Sequence, residues 1–176
     1  MIDRPTVRPY EPTDHQAVRS LFIRVNRELA PPLLRAQFES HIASSLEHEI
    51  DRIPDYYDSR RGSGFWVAIL HGMFVGNFGL EPAEKDAFEL RRMYVDPDAR
   101  RLGVARLLLA HAEKICRVLG RPRMVLSTSE LQAAALGLYR AAGYRLVCEE
   151  VAMAASNKTI GGGVRRFHFE KTLSGA

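Results

Sequence analysis

The stretch FELRRMYVDPDARRLGVARLLLAHAEKI, Phe88 to Ile115, decides the fold. Phe88 to Val95 reads as a strand, Asp96-Pro97 ends it, and from Val104 the apolar residues recur at helical spacing. Between the two lies Arg100-Arg101-Leu102-Gly103-Val104-Ala105. A strand that enters a glycine-containing turn and opens straight into a helix leaves several backbone N–H groups converging on one point, with the positive helix end behind them. Such a turn is an anion cradle, and phosphate oxygens satisfy its donors well. No Gly-Lys-Ser/Thr follows it, and the second and third glycines of a dinucleotide fingerprint are missing. Readings as a nucleoside triphosphate or NAD site therefore fall.

On the N-terminal side, Thr6 to Tyr10 suits a short strand, and EPTD caps a helix with Ala17, Val18, Leu21, Phe22, Val25 and Leu29 on one face. Ala30-Pro31-Pro32 ends that helix, and Leu34, Phe38, Ile42, Leu46 and Ile50 form the apolar stripe of a second. Asp51 to Gly64 has no sustained period and is expected to be a loop. Phe65–Leu70, Met73–Leu80 and a run ending at Val95 read as an antiparallel meander, turning first at His71-Gly72. On the C-terminal side the helix from Val104 to Leu119 stops at Gly120, a strand spans Met124 to Thr128, and a helix runs from about Glu130 to Ala142. Strands near Tyr144–Met153 and Val164–Thr172 close the chain, joined by the polar loop SNKTIGGG. An antiparallel front half joined through strand-helix-strand-helix to a final hairpin predicts an α/β (α+β) fold: a mixed, mostly antiparallel sheet of about seven strands, helices on both faces, and one parallel crossover.

A chain of 176 residues, 46% hydrophobic, buries one sizeable core, so residues 1–176 are expected to be a single domain. The net charge of +4, from 25 basic and 21 acidic residues, is mild, and the arginines are scattered. No nucleic-acid partner is expected. Cys116 and Cys148 stand outside any metal or CxxC spacing and are expected to be buried free thiols in a reducing cytoplasm. His41, His48, His71 and His111 have no partners at metal spacing, so no metal is expected. There is no apolar run of membrane-spanning length and no signal-peptide pattern, which argues for no membrane partner and a cytoplasmic location.

A second constellation follows the cradle: Ser127-Thr128-Ser129-Glu130-Leu131-Gln132, leading to Ala135-x-x-Leu138-Tyr139-x-x-x-Gly143-Tyr144. With both in this order, the chain resembles the GCN5-related N-acetyltransferase (GNAT) superfamily over nearly its whole length. GSGFWVA (Gly62 to Ala68) and TSELQAAALGLY (Thr128 to Tyr139) resemble its camello-like branch more loosely, and the hydrophobic membrane segment of the vertebrate members is not present here.

The resemblance implies an enzyme that transfers the acetyl group of acetyl-CoA, as co-substrate, directly to a primary amine. Arg100, Arg101, Leu102, Gly103, Val104, Ala105 and Arg106 would cradle the pyrophosphate. Met93, Tyr94 and Val95 would offer backbone to the pantetheine arm where their strand splays from its parallel neighbour. Glu89 aligns with the family's general base, although by period two it shares a face with Arg91 and suits a structural ion pair equally. Tyr139 would protonate the departing thiolate, or serve as a packing tyrosine. Gln132 stands where relatives contact the cofactor, and Ser129-x-x-Gln132 is also a capping box.

The acceptor is expected to be a small amino-acid-like amine, enclosed by the two N-terminal helices and the Asp51–Gly64 loop with Tyr56, Tyr57, Arg60 and Arg61. A protein lysine or N-terminal acceptor and a non-catalytic acetyl-CoA-binding module are the alternatives. A lysine amine with pKa about 10.4 is neutral in only ~1 of 2,500 molecules at pH 7, so only a lysine-like acceptor demands a strong base. The C-terminal strands and their loop would support a homodimer.

Overall fold

The alternating strands of the front half fold as the antiparallel meander their pattern predicts. In the computed structural model, which describes residues 4–58, 62–84 and 86–173, these are β2 (Gly64–Leu70), β3 (Met73–Pro82) and β4 (Ala87–Val95). His71 and Gly72 make the first turn with φ of 52° and 76°, the left-handed backbone that a two-residue hairpin turn requires. β1 (Thr6–Pro9) pairs outside β2, and β5 (Arg123–Ser129) runs parallel to β4. β7 (Val164–Thr172) and β6 (Arg145–Ala152) complete a seven-stranded sheet in the order β1-β2-β3-β4-β5-β7-β6. One pair is parallel and the rest are antiparallel, as expected from the sequence.

Two apolar clusters cover opposite faces. Phe78, Leu80, Phe88, Leu90, Met124 and Leu126 pack against α4 (Val104–Val118) and α5 (Ala133–Ala141) through Val104, Leu108, Ala112 and Tyr139. On the other face Phe65 and Val67 meet α1 (His15–Leu29) and α2 (Arg35–His48) through Val18, Phe22 and Ile42. Alternation decides the sides, since Val67 and Ala68 are both fully buried yet belong to different clusters.

Several expectations need correction. The segment after α2 carries a 3₁₀ turn at Ile50–Arg52 and the one-turn helix α3 (Ile53–Tyr56), anchored by buried Ile50 and Ile53. Arg60 and Arg61 lie outside the described residues. α5 begins at Ala133 rather than Glu130, because Glu130 is held by β7: its N–H donates to Arg165 O and its carboxylate accepts from Arg165 N. Cys116 is buried, whereas Cys148 is exposed on β6, which forms the sheet edge.

Candidate active site

Between β4 and β5 the sheet opens. Their parallel register runs from Ala87↔Arg123 only to Leu90↔Leu126. β4 continues to Val95 on β3, and β5 continues to Ser129 on β7. Beyond Leu90 the two strands therefore diverge into a wedge, with Arg91–Val95 on one side and Ser127–Ser129 on the other. This is the splay expected for Met93, Tyr94 and Val95.

A bulge turns β4 at the mouth of the wedge. Asn77 opposes Tyr94 and Gly79 opposes Arg91, so β4 advances three residues while β3 advances two. The extra residue leaves Arg92 at φ 51°, a left-handed backbone that costs a non-glycine residue about 1 kcal/mol or more. Its side chain reports what holds it there. Arg92 Nη2 and Nε donate to Glu49 at 2.6 and 3.0 Å, Arg91 Nη2 donates to the same carboxylate at 2.7 Å, and the Tyr57 hydroxyl donates to it as well. Asn77 Nδ2 closes the bulge on Arg92 O at 2.7 Å, and the Phe22 ring lies 5.0 Å from the Arg92 guanidinium. Glu49 has no exposed surface. Burial opposes its charge, but the two guanidiniums and the phenol prevail and hold its pKa near 2.

The wedge leads into a cavity of about 110 Å³ on the α1/α2 side. Glu89, Met93, Tyr94 and Tyr139 all line it, so the structure brings together the sequence-predicted residues that would do the chemistry. Tyr139 is 6% exposed and packs edge-on to Tyr144 at 5.9 Å. Burial, with Tyr94 nearby, raises its pKa, and the phenol keeps its proton at neutral pH. Glu89 does not pair with Arg91, which turns to Glu49 and Glu81 instead. Glu89 Oε2 lies 3.4 Å from Lys158 Nζ, which also reaches Glu81, the cross-strand partner of Glu89, at 3.3 Å. Gln132 Oε1 accepts from Thr128 Oγ1 at 2.7 Å and from Ser129 N at 3.4 Å. This is half of the expected capping box, because the Ser129 hydroxyl has no partner among the described residues.

The cavity roof differs from expectation. Among the described residues it is lined by α1, α2 and the β6–β7 loop and not by the segment after α2, whose Tyr57 is committed to Glu49. His41, expected on a polar face, is buried and donates from Nδ1 to Ser156 O at 2.6 Å. Burial and then Arg92 push its pKa down to about 4, so it is neutral. Asn157 O accepts from Arg92 and Ser45. The sequence reading missed Glu49, Arg92, Asn157, Lys158 and Arg166. One signal was available: adjacent arginines in a buried strand demand a buried anion.

At the other end of the wedge stands the cradle. Gly103 caps α4 at φ 80° and Arg101 precedes it at φ 65°. The bond from Leu107 N to Gly103 O, at 3.0 Å, closes the first helical turn, so the amides of Val104, Ala105 and Arg106 sit in the turn that lacks intrahelical partners. A Cβ on Gly103 would meet nothing within 4 Å, so glycine serves the φ here. Leu102 and Arg106 are exposed, and Arg100 reaches across to Glu28 at 2.8 Å. Among the described residues no group of three or more His, Cys, Asp or Glu gathers at a metal site.

Wedge, bulge and cradle along one strand-turn-helix define an acyl-CoA-type transferase scaffold. Residues 30–144 match the model of the Acetyltransferase (GNAT) family, and the chain belongs to that family. It is 34% identical over 109 residues to N-acetylaspartate synthetase of Xenopus tropicalis, covering 61% of this chain and 40% of that protein. With N-acetyltransferase family 8 member 3 of Rattus norvegicus it shares 32% over 118 residues, 64% of this chain and 52% of the relative. The chain thus spans about half the length, or less, of these curated relatives. A GNAT-family acetyltransferase of Staphylococcus aureus Mu50 superposes with TM-score 0.74 at 18% identity, covering 97% and 99% of the two chains. The acetyltransferase yncA of Salmonella typhimurium, solved with its cofactor acetyl-CoA, superposes with TM-score 0.73 at 17% identity, covering 98% and 95%.

Proposed function

We propose that this chain transfers the acetyl group of acetyl-CoA directly to the primary amine of a small amino-acid-like molecule. The observation that carries the reading is the wedge between β4 and β5, with the cradle at one end and Glu89 and Tyr139 lining one cavity. The first-turn amides of α4 and the exposed Arg101 and Arg106 suit a pyrophosphate, and the free edge at Met93–Val95 suits an amide-bearing arm. Acetyl-CoA, once bound, supplies an activated thioester carbonyl.

The remaining chemistry belongs to this chain's residues. Backbone N–H groups of β4 beyond the bulge donate to the oxygen that gains charge, and their donation needs no rearrangement because the Glu49 network fixes the bulge. Glu89, directly or through water, accepts the proton that the attacking amine loses. Tyr139 gives its proton to the departing sulfur and is reprotonated from solvent. Positioned acids and bases of this kind contribute about 10²- to 10⁴-fold each. Gln132 holds the end of β5 against the start of α5 and thereby one side of the wedge.

The small volume of the cavity, lined by α1, α2 and the β6–β7 loop, favours a small acceptor over a protein chain. A cytoplasmic setting belongs to the same reading and agrees with two unpaired thiols. No helix among the described residues is long and apolar enough to cross a membrane. A homodimer through β6 is also proposed, because this edge strand exposes Val147 and Val151; light scattering of the purified chain decides it. The activity is tested by thiol release from acetyl-CoA over amino acids, polyamines, S-conjugates and peptides, with the products weighed by mass spectrometry. N-acetylated small amines support the proposal. Acetylated peptides alone would move it to the protein-modifying alternative, and tight acetyl-CoA binding with no turnover to the non-catalytic one.

A further inference from the structure

The charges lining the cavity do not balance among themselves. Arg91 is paired with Glu49 and Glu81, Arg92 with Glu49, and Lys158 with Glu81 and Glu89. Arg166, on β7, is different. It lines the same cavity, is half-buried, and among the described residues has no carboxylate within ion-pair distance. Its guanidinium donates from Nη2 to Ser127 Oγ. Glu150 and Glu89 act on it only from farther away, and Glu150 is itself engaged by His168 at 2.9 Å.

A second unmet polar group stands beside it. Ser129 is the direct cross-strand partner of Arg166, is 2% exposed, lines the cavity, and has a hydroxyl without a hydrogen-bond partner among the described residues. Leaving a buried hydroxyl and a half-buried guanidinium incompletely bonded carries a cost. Both costs vanish if one anion lies between them: a carboxylate accepts from Arg166 with one oxygen and from Ser129 Oγ–H with the other. The cradle for phosphates lies elsewhere, at the N-terminus of α4, so this pair is not part of it.

We propose that Arg166 and Ser129 form a carboxylate-binding subsite that selects amines carrying a carboxylate, such as amino acids, and orients them toward Glu89 and the wedge. The inference rests on the acetyl-transfer reading for its biological meaning but not for its measurement. Arg166 is a specificity residue here, not a proton-transfer group. Lysine in its place keeps the charge but loses the planar fork.

The test compares matched acceptors, with and without the carboxylate: phenylalanine with phenethylamine, and leucine with isoamylamine. Turnover by the intact chain is expected to favour the member with the carboxylate. Arg166→Gln should lower kcat/KM for that member about 10- to 100-fold and leave the carboxylate-free amine within about twofold. Arg166→Lys should recover part of the loss, and Ser129→Ala, which leaves the guanidinium in place, should cost the carboxylate-bearing member alone about 3- to 10-fold. Equal losses on both members of each pair, or a wild-type chain indifferent to the carboxylate, would overturn the subsite while leaving acetyl transfer intact. Calorimetric titration of the same compounds into the chain saturated with CoA gives a readout without turnover. Carboxylate-dependent binding that disappears in Arg166→Gln sustains the subsite even if no acceptor is acetylated, and binding that ignores Arg166 refutes it.

Discussion

Glu49→Gln is the most informative single change in this protein. It keeps the shape of the side chain but removes the one negative charge that faces both Arg91 and Arg92. Each of those arginine side chains is 6% exposed and Glu49 is 0% exposed, so solvent does little to replace the lost partner. Breaking a buried ion pair from one side costs about 3–5 kcal/mol. Proton linkage gives a second route to the magnitude. The Glu49 pKa falls from an ordinary 4.5 to about 2, and a shift of that size corresponds to about 3 kcal/mol of folding stability.

Because the folded-state pKa is depressed, this stability is fully present above pH 4.5 and drains away as pH falls toward 2, with about 2 kcal/mol gone at pH 3. For a chain of this length each kcal/mol moves the melting temperature by about 2–4 °C, so Glu49→Gln should melt roughly 6–12 °C below wild type at pH 7. The gap should narrow as pH is lowered, since the wild-type carboxylate is then protonated too. Other depressed carboxylates, such as Asp14 beside Arg8, titrate in both proteins and cancel in the difference. Thermal melts by circular dichroism at pH 7, 5, 4 and 3 measure it. A difference below about 2 °C at pH 7, or a gap that stays constant down to pH 3, would refute the reasoning.

Other changes separate the roles in the site. Tyr139→Phe removes one hydroxyl from a buried ring, so it should fold normally, lose about 10²- to 10³-fold in kcat and keep its KM for acetyl-CoA; full turnover from pH 6 to 9 in a thiol-release assay would end its role as acid. Glu89→Gln should slow lysine-like acceptors more than α-amines, whose neutral form is far more abundant at pH 7; equal slowing in steady-state kinetics would leave Glu89 as a structural partner of Lys158. Gly103→Ala places a Cβ into open space but at φ 80°, so it should cost about 1–2 kcal/mol of backbone strain and raise the KM for acetyl-CoA without altering that for the amine. Denaturant melts and initial-rate kinetics on the same preparation check both halves.

What the sequence revealed and what it hid follow from the range of the forces involved. The meander, the β4–α4–β5 crossover and the positions of Tyr139 and Gly103 were readable because periodicity, turn residues and helix ends are local signals. The wedge was anticipated through family resemblance, and the strand registers bear it out. Adjacent Arg91 and Arg92 signalled a buried anion, but not which one: the Glu49 carboxylate lies 42 and 43 residues from its arginines, and nothing near Glu49 distinguishes it from a solvated helix-end glutamate. Glu89 and Arg91 show the same limit in reverse, since period two placed them together and longer-range partners drew them apart. The cavity roof escaped because a polar, glycine-rich loop carries no periodicity, so its docking on α2 emerges only in three dimensions.

That loop also bears on how such a protein changes over generations. The family match ends at residue 144, whereas Asn157, Lys158 and Arg166 all come from the hairpin that follows. The cradle, Glu89 and Tyr139 lie before that boundary, while this part of the acceptor chamber lies after it. Changes within the hairpin would therefore act on the proposed acceptor chamber, and through Asn157 on Arg92 and Lys158 on Glu89 they would reach the wedge as well. A change of acceptor through this hairpin is thus coupled to the setting of Glu89 and Arg92, and variants in it are best selected together with their partners on β4.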